Sequence, residues 1–165
     1  MTLKNLLGIS LDKVDRPMLP SSELIDSYFH ADYVTDGITL RLDAPVPGLN
    51  EWLAAHQCTR AILITGWNPF SQELPPAENE ARNVALKREL DERGLRVLEA
   101  VGRSRDAMLW QEPGYCVLDC DDAVTDELLV RYGQNAAVVA DERMGCGLVW
   151  HPAMRDGLPT RFSPK

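Results

Sequence analysis

The residues able to do chemistry concentrate in one stretch, Ile64 to Asn83, which reads ITGWNPFSQELPPAENEARN. A continuous apolar run, Ala61-Ile62-Leu63-Ile64-Thr65, ends at Gly66. An irregular Trp67-Asn68-Pro69-Phe70-Ser71-Gln72 segment follows and leads into a helix opened by Pro75-Pro76. Ligands of α/β sheets collect beyond the carboxyl ends of strands, so this segment is a candidate pocket wall. Gly66 permits close approach of a ligand or another backbone. Asn68 precedes a proline, which predicts an extended conformation for it. At the helix start, Glu78 and Arg82 are four apart, as are Asn79 and Asn83, so each pair shares a helix face. Asn83 lies on the stripe continued by Leu86 and Leu90, where an apolar residue is expected. A buried amide there needs partners, and two readings stay open: the amides tie down the Trp67–Gln72 turn, or they hold a ligand. Arg82 near a helix N-terminus opposes the macrodipole unless Glu78 or a bound anion compensates.

Two further segments are candidates. In Trp110-Gln111-Glu112-Pro113-Gly114, read as a loop before a strand, Trp110 offers a stacking surface and Glu112 a general acid/base. The bland reading of the pair is a turn residue and a core lid. Gly133-Gln134-Asn135 follows the last helix; Gly133 suits helix termination, while Gln134 and Asn135 either satisfy the final carbonyls or contact a ligand.

Other chemistries find no support. There is no phosphate-cradling P-loop, no G-x-G-x-x-G and no G-x-S-x-G nucleophile elbow. His30, His56 and His151 are isolated, so no metal site is predicted. Asp119, Asp121 and Asp122 are acidic enough for a divalent ion, but helix capping accounts for them better. No cofactor can be named. The cysteines, Cys58, Cys116, Cys120 and Cys146, contain no CxxC and read as reduced residues of a cytoplasmic protein.

The elements that must position these residues follow from periodicity. Leu3, Leu6, Leu7 and Leu11 have helical spacing in an N-terminal arm and connector, 1–21. An α/β domain spans 22–151, and a Pro-, Gly- and charge-rich tail, 152–165, is expected on the surface. Within the domain, Ser21 or Ser22 caps a helix through Phe29, and Asp36-Gly37 marks a turn. Ile38, Leu40 and Leu42 alternate as a strand, and Leu49 to Gln57 is helical. After the 61–65 strand come a helix from about Ala77 to Arg93, strands at Leu95–Val101 and Tyr115–Cys120, and a helix capped by Asp121 or Asp122 and closed by Gly133. Last is a hairpin of Ala136–Ala140 and Gly147–Trp150. The alternation of helices and strands predicts a single compact α/β domain, a mixed β-sheet with flanking helices.

Composition agrees. The chain has 165 residues, 45% hydrophobic and 25% charged, enough for one well-buried core. Lys plus Arg is 17 against 25 Asp plus Glu, a net charge of −8, which argues against general nucleic-acid binding. The apolar run at 61–65 is too short to span a bilayer, and the N-terminal residues lack the pattern of a secretory signal.

Taken together, Thr65-Gly66-Trp67-Asn68-Pro69-Phe70-Ser71, Glu78-Asn79 with Arg82-Asn83, Trp110 with Glu112, and Gly133-Gln134-Asn135-Ala136 resemble a bacterial family known as domain of unknown function 3293. The resemblance covers about Ser22 to Trp150. It implies that the four segments form one module on a compact α/β domain, and it implies no activity.

Three functional readings follow. The first is binding of a small polar or anionic, nucleotide-like ligand, with Trp67 or Trp110 stacking on a ring and Asn68, Asn79, Arg82, Asn83, Gln134 and Asn135 holding polar groups. The second is an interaction or regulatory module docking on a protein partner through residues 3–11. The third is a nucleotide-processing transferase or hydrolase, with Glu78 or Glu112 as acid/base and Arg82 stabilising negative charge.

Overall fold

The computed structural model describes residues 19–106, 109–158 and 161–162. The expected arm helix at Leu3–Leu11, with its docking role, lies outside them. The described elements are α1 (Ser22–Phe29), β1 (Ala31–Thr35), β2 (Ile38–Leu40), α2 (Leu49–Ala55), β3 (Arg60–Ile64), a 3₁₀ turn (Pro69–Ser71) and α3 (Pro76–Glu92). After these come β4 (Arg96–Ser104), β5 (Gln111–Leu118), α4 (Asp122–Tyr132), β6 (Ala136–Asp141), β7 (Gly145–Trp150), a second 3₁₀ turn (Pro152–Met154) and β8 (Arg161–Phe162).

Local chemistry explains most of these boundaries. Ser21 Oγ accepts from the Leu24 amide and starts α1, and Asp121 Oδ1 does the same for Val124 at 2.8 Å to start α4. Gly133, at φ +62°, closes α4 in the left-handed conformation that glycine adopts without steric cost. Between β1 and β2, Asp36 and Gly37 both take positive φ, the twist-compatible two-residue hairpin turn. Strand β1 itself was not expected from the sequence: its alternation is blurred by Asp32 and by Thr35, a buried polar residue whose hydroxyl donates to Glu99 O.

The strands form one sheet in the order β2-β1-β4-β5-β3-β6-β7-β8. The α/β domain with flanking helices is present as expected, but every pairing in the sheet is antiparallel rather than mixed. The reason is topological. A β-α-β crossover brings two strands into the same direction, and alternation in sequence suggests that they pair. Here β3-α3-β4 leaves a gap filled by β5, and β5-α4-β6 leaves a gap filled by β3. The two split units interlock, so each crossover pair is separated by an antiparallel strand. The run β3-α3-β4-β5-α4-β6 thus has the ferredoxin-like β-α-β-β-α-β topology. The β1-β2 hairpin extends it beside β4, and β7-β8 beside β6.

The sheet is covered on both faces. Ile62, Ile64, Val117 and Val139 pack against Leu86 and Leu90 of α3 and Leu128 and Leu129 of α4. On the other face Ala61, Leu63, Cys116, Val138 and Leu148 join Tyr33 and Leu40 beneath α1 and α2. Alternate residues of β3 therefore serve opposite layers, which is why that strand reads as an unbroken apolar run. Met154, in the second 3₁₀ turn, is buried in the α1-side core, and β8 pairs with β7. No helix among the described residues is long and apolar enough to cross a membrane.

Candidate functional site

The loop after β3 is the most constrained segment around the site. Asn68, Phe70 and Ser71 all take left-handed φ, at 42°, 49° and 59°. The extended conformation expected for Asn68 ahead of Pro69 is not adopted; its ψ is 72°. Such non-glycine residues cost of order 1 kcal/mol each and persist only where their surroundings hold them.

The amides of α3 do the holding. Asn79 Oδ1 accepts from the Asn68 amide at 2.8 Å, and its Nδ2 donates to Asn68 Oδ1 at 2.8 Å and to Leu74 O. Asn83 Oδ1 accepts from the Gly66 amide at 2.7 Å, and its Nδ2 donates to Pro113 O at 2.8 Å, joining the loop to β5. Arg82 is 1% exposed; Nε donates to Gly66 O at 2.6 Å and Nη2 to Tyr132 O, the carbonyl end of α4. A cation there complements the α4 dipole. The loop and the α4 terminus are also joined directly, since the Phe70 amide donates to Gly133 O. Gln134 Nε2 donates to Trp67 O and Tyr132 O, and Asn135 Nδ2 donates to Ser71 Oγ at 3.1 Å. Gly66 accommodates a backbone, as one of its two readings anticipated: a Cβ there would lie 3.0 Å from the Arg82 carbonyl carbon and oxygen.

Beside this brace is a cleft of about 70 Å³ whose walls include Tyr28, Tyr33, Gly102, Trp110, Glu112 and Gln134. Its floor follows from strand register. Tyr33 pairs with Gly102, and Gly102 with Glu112, so the three residues form one row across β1, β4 and β5. Gly102 leaves a notch between the two side chains; a Cβ there would lie 3.3 Å from the Tyr33 ring and 3.5 Å from that of Trp110. Tyr28 comes down from α1, with its ring edge-on to Trp150 at 5.8 Å and its hydroxyl close to the Asn135 and Ser71 side chains.

Glu112 lies in β5 rather than in the loop expected from the sequence. Asn68 Oδ1 already accepts from Leu74 and Asn79, so its Nδ2 is turned toward Glu112 Oε1, 3.3 Å away. Burial pushes the Glu112 carboxyl up to about 7, while the Asn68 hydrogen bond pulls it down. Burial also holds Tyr28 up at about 12. No Lys, Arg or His lines the cleft among the described residues.

The predicted residues thus separate by place. Trp110, Glu112 and Gln134 line the cleft, and Asn68 touches it through Glu112. Asn79, Arg82, Asn83 and Asn135 make the bonds of the brace. Trp67 contributes its backbone, its amide donating to Thr65 Oγ1 and its carbonyl accepting from Gln134 Nε2. Arg82 directs its bonds to carbonyls rather than to Glu78, which is not in the cleft lining. Sequence reasoning missed Tyr28, Tyr33 and Gly102. Tyr28 reads as part of an apolar helix face, and a glycine inside a strand was the available signal for a close approach. Among the described residues, no group of three His, Cys, Asp or Glu is arranged to hold a metal.

No curated protein and no solved structure gives a significant match to the chain. The family model described as a protein of unknown function (DUF3293) matches residues 64–137, which run from the end of β3 into β6 and include the brace, Trp110 and Glu112. Over that span the chain resembles this family, a narrower stretch than the 22–150 expected from its motifs.

Proposed function

We propose that this protein binds a small molecule in the cleft over Gly102, with Trp110 and the two tyrosines as its walls and Glu112 as its polar anchor. One observation carries the reading: a largely buried carboxyl faces an aromatic cleft with, among the described residues, a single side-chain partner, Asn68. Burying such a group has a cost, and a ligand that hydrogen-bonds to it recovers part of that cost. The brace serves this site by fixing Asn68. In this reading Asn79, Arg82, Asn83 and Asn135 act through the loop rather than by touching the ligand. A phosphate-bearing, nucleotide-like ligand fits less well, because the candidate cation Arg82 is engaged with two carbonyls and no Lys, Arg or His lines the cleft among the described residues.

A second reading, catalysis, is favoured by the same carboxyl. A largely buried group that holds its proton up to about pH 7 beside an aromatic cleft suits general acid/base chemistry. In that case Glu112 is the acid/base residue of choice over Glu78.

The test is a fragment screen by ¹H–¹⁵N NMR on the full chain, with thermal shift in parallel. A ligand at a hundred times its dissociation constant raises stability by about 2.7 kcal/mol. Hits that move the Gly102, Glu112 and Gln134 amides, and weaken in Trp110→Leu, support the proposal. A library that binds elsewhere or not at all on a well-folded protein refutes it.

A further inference from the structure

The walls of the cleft indicate the charge of what it takes. Tyr33 and Trp110 flank the notch at Gly102, Tyr28 lines the same cleft, and among the described residues Glu112 is the carboxyl in the lining. Aromatic faces carry negative electrostatic potential and attract cations, more strongly when desolvated. Arg105, whose charge acts on Tyr33, is occupied: Nε donates to Asp32 Oδ1 at 2.9 Å, and Nη1 and Nη2 donate to Asp43. Among the described residues Glu112 therefore has no counter-ion within the cleft, and its side-chain donor there is a neutral amide. We infer that the cleft is a site for a small organic cation, an ammonium or guanidinium group seated among Tyr28, Tyr33 and Trp110 and paired with the Glu112 carboxylate. This inference rests on the binding reading above and specifies its ligand class.

Size limits the group further. At roughly 10–15 Å³ of such volume per water, 70 Å³ holds about five to seven water-sized groups. That admits methylguanidinium or tetramethylammonium as a whole ligand or as the head of a longer one. The excess of acidic over basic residues, a net charge of −8, also raises the local concentration of cations. The other titratable groups in the lining are Tyr28 on α1, Tyr33 on β1 and Tyr115 on β5. Burial raises all three phenols above their ordinary value, so they stay neutral from pH 6 to pH 8. Across that interval Glu112 is the lining group that changes charge.

The experiment titrates the full chain by ¹H–¹⁵N NMR at constant ionic strength with methylguanidinium and tetramethylammonium. N-methylurea and tert-butanol serve as neutral counterparts of similar shape, and acetate as the anion. Wild type, Glu112→Gln and Trp110→Leu are compared at pH 6 and pH 8. The expected result is saturable movement of the Gly102 and Glu112 amides by the cations at pH 8, at least tenfold tighter than by the neutral counterparts. Affinity falls about tenfold at pH 6, as Glu112 takes up its proton, and this pH dependence disappears in Glu112→Gln. The inference is overturned if neutral probes bind as tightly as cations, or if Glu112→Gln retains wild-type cation affinity with a native spectrum. Those outcomes leave the binding reading standing. If no probe of any charge moves the cleft amides, both readings fall.

Discussion

Replacing Arg82 with alanine should cost about 3 kcal/mol of folding stability. The guanidinium is 1% exposed and spans two elements, with Nε on Gly66 O of the β3–α3 loop and Nη2 on Tyr132 O at the end of α4. Hydrogen bonds from a charged group contribute about 1.5–3 kcal/mol each, so the pair is worth about 3–6 kcal/mol. Against this stands desolvation, which holds Arg82 below its usual pKa, and Nη1, which has no hydrogen-bond partner among the described residues. Removing an unsatisfied buried donor returns about 1–3 kcal/mol, leaving a net loss near 3. In a domain of this size each kcal/mol moves Tm by about 2–4 °C, so the expected fall is about 6–12 °C. Far-UV circular dichroism melts and urea titrations of wild type, Arg82→Ala and Arg82→Lys measure it. Lysine keeps the charge but lacks the planar fork that reaches both carbonyls, so it should recover less than half of the loss. An Arg82→Ala protein within about 0.5 kcal/mol of wild type would refute the brace.

Three other outcomes follow from the same geometry. Gly114→Ala places a Cβ 2.6 Å from Ile64 O and should destabilise by about 1–3 kcal/mol through overpacking between β5 and β3; unchanged urea midpoints would contradict that contact. Glu112 has its folded pKa raised to about 7 from an ordinary value of 4.5, so the folded state binds the extra proton. Its stabilising effect is full below about pH 4.5, declines as pH rises through 7, and is lost above that. The difference is about 3 kcal/mol. Glu112→Gln should therefore match wild type near pH 4 and exceed it at pH 8, and parallel stability–pH curves for the two proteins would remove the buried-acid reading. Asp121→Ala removes the cap on the Val124 amide and should lower stability by about 1 kcal/mol in denaturant titrations, with no change in cleft amide shifts.

Much of the local structure was legible in the sequence because it depends on near neighbours. Ser21, Asp121 and Gly133 mark helix ends through bonds and conformations settled within four residues, and Asp36-Gly37 specifies its own turn. The apolar run of β3 announced a strand buried on both faces, and the misplaced amides Asn79 and Asn83 signalled that α3 serves something polar. Strand order depends on residues distant in the chain. Helix–strand alternation is the same whether a crossover pair sits side by side or admits a third strand, and only the packed sheet put β5 and β3 into those gaps. The cleft is likewise a tertiary product. Tyr33, Gly102 and Glu112 become a row only through the β1–β4–β5 register, and Tyr28 joins them from a helix whose sequence shows just an apolar face. Glu112 looks like any acidic residue in a chain of 25. Its proton affinity is decided by the burial that the fold imposes on it beside the aromatic cleft and by the Asn68 amide that reaches it.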